Sequence, residues 1–345
     1  MKKSLFFLAA AAALVFASCN NDVKLDENKA LVTSNQQKEI AFAPLSNTPK
    51  HAIKRAAVDG TTFPTTADMQ VAAYDVTNTR NFFTHTTFSY SGASNIWKGG
   101  KYWPLSAAYI NFLAYANFNG TAGSETNGAT WATDEASQVT LVMTDNKTAQ
   151  KDLMYAIGNG EVTQSGNTLN FPTNVPMQFQ HAQAWVSFYA DAYDANSGGK
   201  VTLKSIRLNG AKYSGTYTIS HTNYNATSSQ SVSGTWNVTG SPTADVEVPN
   251  WTPAAIAYDD SGNGVHVGDG LLIVPDDAVA GDFTSFTIAY TLDNNDYEYT
   301  YTPASTNVDQ KKHYIYNIVF HLHEIEISAT VTDWADQTPV EVPIF

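Results

Sequence analysis

Apolar residues that recur at every second position dominate this chain, and a period of two marks strands with one buried face. Met69, Val71 and Ala73 share one side of such a strand, while Ala72, Tyr74 and Val76 share the other. Ile110, Phe112, Ala114 and Ala116 alternate with Asn111, Leu113 and Tyr115. Phe286, Ile288, Tyr290 and Leu292 alternate as far as Asp293-Asn294-Asn295-Asp296, and Tyr297, Tyr299 and Tyr301 then resume. Residues 286–301 are therefore expected to form a hairpin. Tyr314, Tyr316, Ile318, Phe320 and Leu322 share a parity that switches to Ile325, Ile327, Ala329 and Val331. A one-residue slip flips every side chain, so a turn or bulge is expected near His323–Glu324. The run Leu271-Leu272-Ile273-Val274 is apolar throughout, which fits a strand covered on both faces. No stripe of period 3.6 lasts beyond three turns. Charged residues make up only 15% of the chain, and Thr, Ser, Asn and Gly carry the polar share. Those residues suit strands and turns better than helices. The expected fold class is all-β, built of sandwiches.

The ends and breaks divide the 345 residues. Lys2 and Lys3 precede the apolar run Leu5–Ala17, followed by Ser18 and Cys19. A basic start, a short apolar middle and small residues at the cut describe a signal peptide over 1–18. A spanning helix needs about 20 apolar residues, and this run falls short. Phe16-Ala17-Ser18-Cys19 resembles a bacterial lipobox, with Phe16 in place of the more usual Leu. Cutting before Cys19 would leave its thiol for lipidation. From Asn20 to about Gln37 the chain is polar and aperiodic, as in a tether. Glu39–Leu45 then forms a strand candidate with Ile40 and Phe42 on one face, and Lys50, His51, Lys54 and Arg55 make a basic patch. Phe171-Pro172-Thr173-Asn174-Val175-Pro176 separates two strand-rich halves. The expected segments are a signal peptide (1–18), a lipidated tether with its strand (19–55), and sandwiches over 56–175 and 176–345.

Charge and motifs exclude most chemistry. Lys and Arg number 19 against 32 Asp and Glu, for a net charge of −13. A nucleic-acid binder needs a basic face, and adhesion to an anionic bilayer by charge alone needs one too. The single cysteine permits no internal disulfide and no cysteine-based metal site. The sequence has no Gly-x-Ser-x-Gly elbow, no phosphate-binding Gly-x-x-x-x-Gly-Lys loop and no His-Glu-x-x-His. His321 and His323 could share a strand face as metal ligands, but nothing indicates a third. Asp259-Asp260-Ser261-Gly262-Asn263-Gly264 has the glycine of a calcium loop at position six, yet its position twelve is Gly270 rather than Glu. His181 has no nucleophile nearby in sequence, and Glu324 with Glu326 reads as an exposed strand face rather than a glycosidase pair. No enzyme, metal or cofactor is expected. Trp97-Lys98-Gly99-Gly100-Lys101-Tyr102-Trp103-Pro104, Trp251-Thr252-Pro253 and Asp333-Trp334 place aromatics beside glycines and prolines. Such aromatics either stack on sugars at the surface or cap the ends of a sandwich, and burial is the favoured reading.

Tyr102-Trp103-Pro104 followed by Ile110-Asn111-Phe112-Leu113-Ala114-Tyr115 resembles the first half of the fimbrillin family, lipoprotein-derived type V pilins of Bacteroidetes-type bacteria. Asp152-Leu153-Met154-Tyr155-Ala156 and Val175-Pro176-Met177-Gln178-Phe179-Gln180-His181-Ala182 match two further signatures in order. The ending of Tyr314–Phe320, Ile325–Val331 and Asp333-Trp334 matches a fourth. The resemblance implies two tandem transthyretin-like β-sandwich domains on a protein carried to the outer membrane by a palmitate-bearing lipid anchor at Cys19. It implies a cut by an arginine-specific protease between Arg55 and Ala56, which removes the strand at about Lys38–Leu45. It implies a structural subunit, stalk or tip, of a cell-surface fimbria, with other fimbrial subunits as its partners and a host or bacterial surface ligand if it lies at the tip.

The physics implied is strand addition to an opened sheet. Taking Ile40, Phe42 and Leu45 from a core would uncover roughly 5–9 kcal/mol of apolar burial as an upper bound, at about 1.5–3 kcal/mol per side chain. It would also leave an unpaired strand edge. At the other end, Val340, Val342 and Ile344 alternate against Glu341 and Pro343. That run is either a strand donated to a neighbour or the last strand of its own sandwich. The alternative function is a monomeric surface lipoprotein, or a tip adhesin, that binds glycans through exposed aromatics.

Overall fold

The computed structural model describes residues 38–46, 63–92, 96–118, 129–144, 146–238, 243–260, 262, 264–276, 281–321, 324–334 and 340–342. The signal peptide, Cys19, Arg55 and Ala56 lie outside the described residues, as do the side chains of Leu45, Val340 and Val342 and all of Ile344.

The first part of the chain supplies β1 (Glu39–Ser46), β2 (Met69–Asp75), β3 (Arg80–Ser91), β4 (Ile96–Tyr102) and β5 (Ala108–Phe118). Then come β6 (Ala129–Trp131), β7 (Gln138–Met143), the single turn of helix α1 (Asn146–Ala149), β8 (Asp152–Ser165), β9 (Thr168–Asn170) and β10 (Val175–His181). Strand order β10-β1-β4-β3-β2-β5-β8 closes on itself, because β10 also pairs with β8 at Gln180↔Tyr155 and His181↔Met154. The ring closes because two strands change layers. The start of β3 pairs with β2 and its end, Ser89–Ser91, with β4. Likewise β10 leaves β1 for β8 after Phe179. Strands that switch sheets at the corners are how two packed sheets join into one closed unit. Inside lies a core of Ile40, Phe42, Val71, Phe88, Ile110, Phe112, Met154, Met177 and Phe179.

The second part supplies β11 (Ala184–Ala192), β12 (Val201–Lys212), β13 (Gly215–Thr222), β14 (Ser231–Asn237), β15 (Thr243–Glu247) and the short β16 (Ala254–Ala255) and β17 (Val265–His266). It continues with β18 (Leu271–Ile273), β19 (Ser285–Leu292), β20 (Asn295–Tyr301), β21 (Lys312–Phe320), β22 (Ile325–Asp333) and β23 (Val340–Val342). One sheet runs β17-β11-β21-β22-β23, with β18 also on β11, and the other β15-β12-β19-β20, with β16 also on β12. Phe188, Leu208, Phe286, Ile288, Tyr316 and Ile318 pack between them. The architecture is all-β, two sandwiches in tandem, as expected. The hairpin at 286–301 is present, and its turn places Asp293 (φ 50°) and Asn294 (φ 63°) in the left-handed region that a two-residue hairpin turn requires. The parity switch falls between β21 and β22, which pair antiparallel with Phe320 opposite Ile325, while Leu322 and His323 lie outside the described residues. Leu271–Val274 is fully buried because Leu271 and Ile273 face the second core while Leu272 and Val274 face other apolar clusters.

A third layer was not apparent from the sequence. β6 and β7 join β13 and β14 in a four-stranded sheet of order β14-β13-β7-β6, so both halves of the chain build it. Its inner face, Val139, Leu141, Tyr217, Ile219 and Trp236, packs on Leu113, Tyr115, Leu153 and Tyr155. β5 is therefore apolar on both sides: Phe112 and Ala114 fill the first core, and Leu113 and Tyr115 meet this layer. The Pro172–Pro176 break falls just before β10, whose Val175, Met177 and Phe179 complete the first core. The Trp236 indole Nε1 donates to the Ala182 carbonyl at 2.6 Å, tying the layer to the crossing between sandwiches.

His221 on β13 is 3% exposed, and burial holds its imidazole down at about 4, although Nδ1 lies 3.0 Å from the Ala136 carbonyl. Unfolding restores an ordinary histidine near 6.5, so the unfolded chain binds the extra proton. The stabilisation is complete above pH 6.5 and is lost as pH falls towards 4, by roughly 3 kcal/mol in all. Denaturant titrations between these limits should show that loss in the native protein and not in His221→Gln.

Candidate functional site: the slot of the first strand

The feature most open to chemistry is the place of β1 in the ring. It runs parallel to β10, with Phe42 opposite Val175 and Ser46 opposite Phe179. On its other side it runs antiparallel to β4, with Glu39 opposite Tyr102 and Phe42 opposite Trp97. An irregularity between Glu39 and Ala41 shifts the register there. Lys38 O accepts a hydrogen bond from Trp103 N at 3.0 Å, which extends the ladder by one residue. The strand is thus bonded on both edges, although it is the first of the described strands and residues 47–62 separate it from the next described ones.

Its side chains are held as firmly. Ile40 and Phe42 are both 0% exposed, and Ala41 and Pro44 are buried as well. The Phe42 ring meets Phe88 edge-on at 4.8 Å and Phe112 edge-on at 5.1 Å. Burying these two large side chains contributes roughly 3–6 kcal/mol. At the strand's start, Glu39 Oε2 lies 3.2 Å from Lys98 Nζ and Glu39 Oε1 accepts from Gly100 N at 3.1 Å. This pair is partly in solvent and adds little.

The aromatics flagged in the sequence wall this slot. Trp97 is 3% exposed and donates from Nε1 to the Ala67 carbonyl at 2.8 Å. Trp103 is 1% exposed and packs edge-on against Phe112 at 5.9 Å. Gly160 on β8 makes room for it, since a Cβ there would stand 2.3 Å from Trp103 Cη2. Trp97 and Trp103 therefore offer no platform for a sugar. Trp251 is partly buried with its Nε1 bonded to the Leu203 carbonyl, and Trp334 is 1% exposed.

Other residues singled out in the sequence have structural surroundings. His181 Nδ1 sits 3.0 Å from Asp152 Oδ1, both groups buried, and its ring stacks on Trp334 at 3.7 Å with 4° between planes. Three of the family-like signatures thus meet at one point, the crossing between sandwiches. His321 Nε2 lies 3.4 Å from Glu326, and its ring stacks on Tyr193. His323 falls outside the described residues. Among the described residues no cluster of three or more His, Cys, Asp or Glu could hold a metal ion. The backbone of β23 pairs with the same chain's β22, Val340 opposite Val331 and Val342 opposite Ala329. Sequence reasoning missed that β10 is the parallel neighbour of β1; the only trace was a valine–proline start that looked like a linker.

No curated protein matches the chain. Among solved structures, a candidate cell-adhesion protein from Bacteroides uniformis aligns at TM-score 0.49 and 13% identity, covering 87% of this chain and 99% of its own. A fimbrial protein from Bacteroides vulgatus aligns at 0.46 and 12%, covering 85% and 99%. The tip fimbrial protein of Porphyromonas gingivalis, truncated at its C-terminus, aligns at 0.38 and 13%, covering 86% and 100%. The model of the fimbrillin-like family matches residues 54–334, so β1 precedes the matched span while sitting inside the first core. With far more than half of its length matched, the chain belongs to the fimbrillin-like family.

Proposed function

We propose that the protein is a structural subunit of a cell-surface fimbria, assembled by exchange of its first strand. It is exported through the signal peptide at 1–18 and anchored to the outer membrane by a lipid on Cys19. An arginine-specific protease then cuts between Arg55 and Ala56, β1 leaves, and a strand from another subunit takes its place. The observation that carries this reading is the burial of β1, the first of the described strands, between β4 and β10. One cut in the basic stretch that holds Lys50, Lys54 and Arg55 would sever β1 while leaving β2 to β23 continuous. The emptied slot would present two unpaired edges and the uncovered faces of Phe88 and Phe112, which an extended strand with alternating apolar residues satisfies together. While β1 stays, no such edge is available, so the precursor cannot assemble early. Val340–Val342, at the outer edge of its own sheet and held by three residue pairs, is the segment best placed to be donated to a neighbour.

Limited digestion of the soluble chain from Asn20 onward with an arginine-specific protease tests the reading. The expected result is one cut after Arg55, followed by a ladder of higher species on a denaturing gel without boiling. Arg55→Ala should remain folded and uncut at this place and give no ladder. A ladder from Arg55→Ala, or native protein resistant at Arg55, would overturn the reading.

A further inference from the structure

The outer face of the four-stranded β14-β13-β7-β6 sheet has an unusual uniformity of residue type. Alternate residues of these strands point away from the core, and each of them is Thr, Ser, Gln, Asn or Val. None carries a charge, on a chain whose net charge is −13. Thr130, Thr140, Thr218 and Thr235 stand opposite one another and form a row across all four strands. The next row pairs Gln138 and Ser233 with Ser220 between them. Thr140 and Thr218 hydroxyls lie 3.2 Å apart, and Gln138 Nε2 donates to Ser220 Oγ at 3.2 Å. By contrast, the outward face of β12 and β20 carries Lys204, Arg207 and Asp296.

We infer that this uncharged hydroxyl face is where a second copy of the chain docks, face to face. Three observations favour a second copy over other partners. Two chains of charge −13 repel through their acidic surfaces, and a face without charge is where that repulsion has least to act on. A hydroxyl is both donor and acceptor, so a lattice of them is complementary to itself in a way that carboxylates or amines are not. The face also holds no aromatic ring for a sugar to stack on, while Val142, 51% exposed, is apolar surface that a partner would cover.

Size sets the strength. Four strands of three, six, eight and seven residues, about 4.8 Å apart, span roughly 400 Å² per copy, about 800 Å² buried in a pair. Stable complexes bury about 1,200–2,000 Å², so two free subunits would associate only weakly. In a fibre the contact would repeat at every subunit and hold fibres side by side by multivalency. That consequence rests on the fimbrial reading; the pairwise contact does not.

The test uses the uncut soluble chain, so it is independent of strand exchange. Amide chemical shifts would be followed from about 0.1 to about 2 mM protein, with sedimentation equilibrium in parallel. The expected result is concentration-dependent shifts confined to β6, β7, β13 and β14, strengthened by salt as the overall repulsion is screened. Thr130→Glu with Thr235→Glu should weaken association about tenfold or more with an unchanged melting temperature, because like charges would then face each other. Lys204→Glu, on the other sandwich, should leave the shifts as they are. Absence of self-association in about 0.5 M salt, or shifts mapping to another face, would overturn the inference. Shifts here on adding a neutral oligosaccharide, with none on concentrating the protein, would also overturn it and assign the face to a glycan. Fibre formation by a protein that fails these tests leaves the strand-exchange reading intact.

Discussion

Phe42→Ala is expected to lower the stability of the first sandwich by about 3–5 kcal/mol, as buried Phe→Ala changes do. The side chain is 0% exposed and gripped edge-on by Phe88 and Phe112. Its strand is bonded to β4 on one side and β10 on the other, so the walls cannot collapse far into the vacated space. The loss therefore includes both the lost burial and the cavity left behind. Chemical denaturation, with the fluorescence of buried Trp97 and Trp103 as reporters, measures it. The same substitution should have a second effect in cut protein. About 3 kcal/mol less grip corresponds to roughly a hundredfold weaker hold on the severed strand. A change below about 1 kcal/mol would show that β1 is only laid against the ring.

Trp334→Ala should cost a similar amount, about 3–5 kcal/mol, at the other end of the molecule's logic. Trp334 is 1% exposed, lies flat on His181 at 3.7 Å and comes within 5.9 Å of Trp185. Its backbone N donates to the Lys311 carbonyl at 2.7 Å, which fixes where the chain leaves β22. Its indole N–H has no protein partner among the described residues. The clasp is therefore one of packing, and Trp334→Phe, which removes volume but no hydrogen bond, should cost well under half as much. Thermal unfolding compares the two variants. Equal losses for Ala and Phe would mean that a polar contact, not ring packing, holds the junction.

The strands were legible because their core faces alternate with solvent or with a second apolar layer, and a period of two survives either case. Ile110–Ala116 shows both at once: Phe112 and Ala114 serve the first core, Leu113 and Tyr115 the third layer. Partnership was not legible. Strand pairing is set by tertiary packing between residues far apart in the chain, and nothing local in Val139 or Ile219 says that they will face each other. Pro172 and Pro176 were expected to mark a linker, yet β10 begins at Val175 and tolerates Pro176 beside β1. The slot itself was half legible. Ile40 and Phe42 were expected on one buried face and are there, whereas the parallel neighbour that makes the slot two-sided could not be seen in the residues. The aromatics near Gly99 and Pro104 had two readings in sequence, and only packing against Phe112 and beside Gly160 distinguishes a plug from a platform.

If strand exchange is how the protein assembles, β1 is a removable occupant of a slot that otherwise stands formed. Amide hydrogen exchange at Ile96–Tyr102 and Val175–Phe179, followed through arginine-specific cleavage and then addition of a synthetic Lys38–Ser46 peptide, tests it most directly. Protection is expected in both segments before the cut, with its loss from both when β1 leaves and its return when the peptide binds. A Phe42→Ala peptide should restore it only at roughly hundredfold higher concentration. Protection that survives removal of β1, or a ring that unfolds throughout and does not recover with peptide, would contradict it.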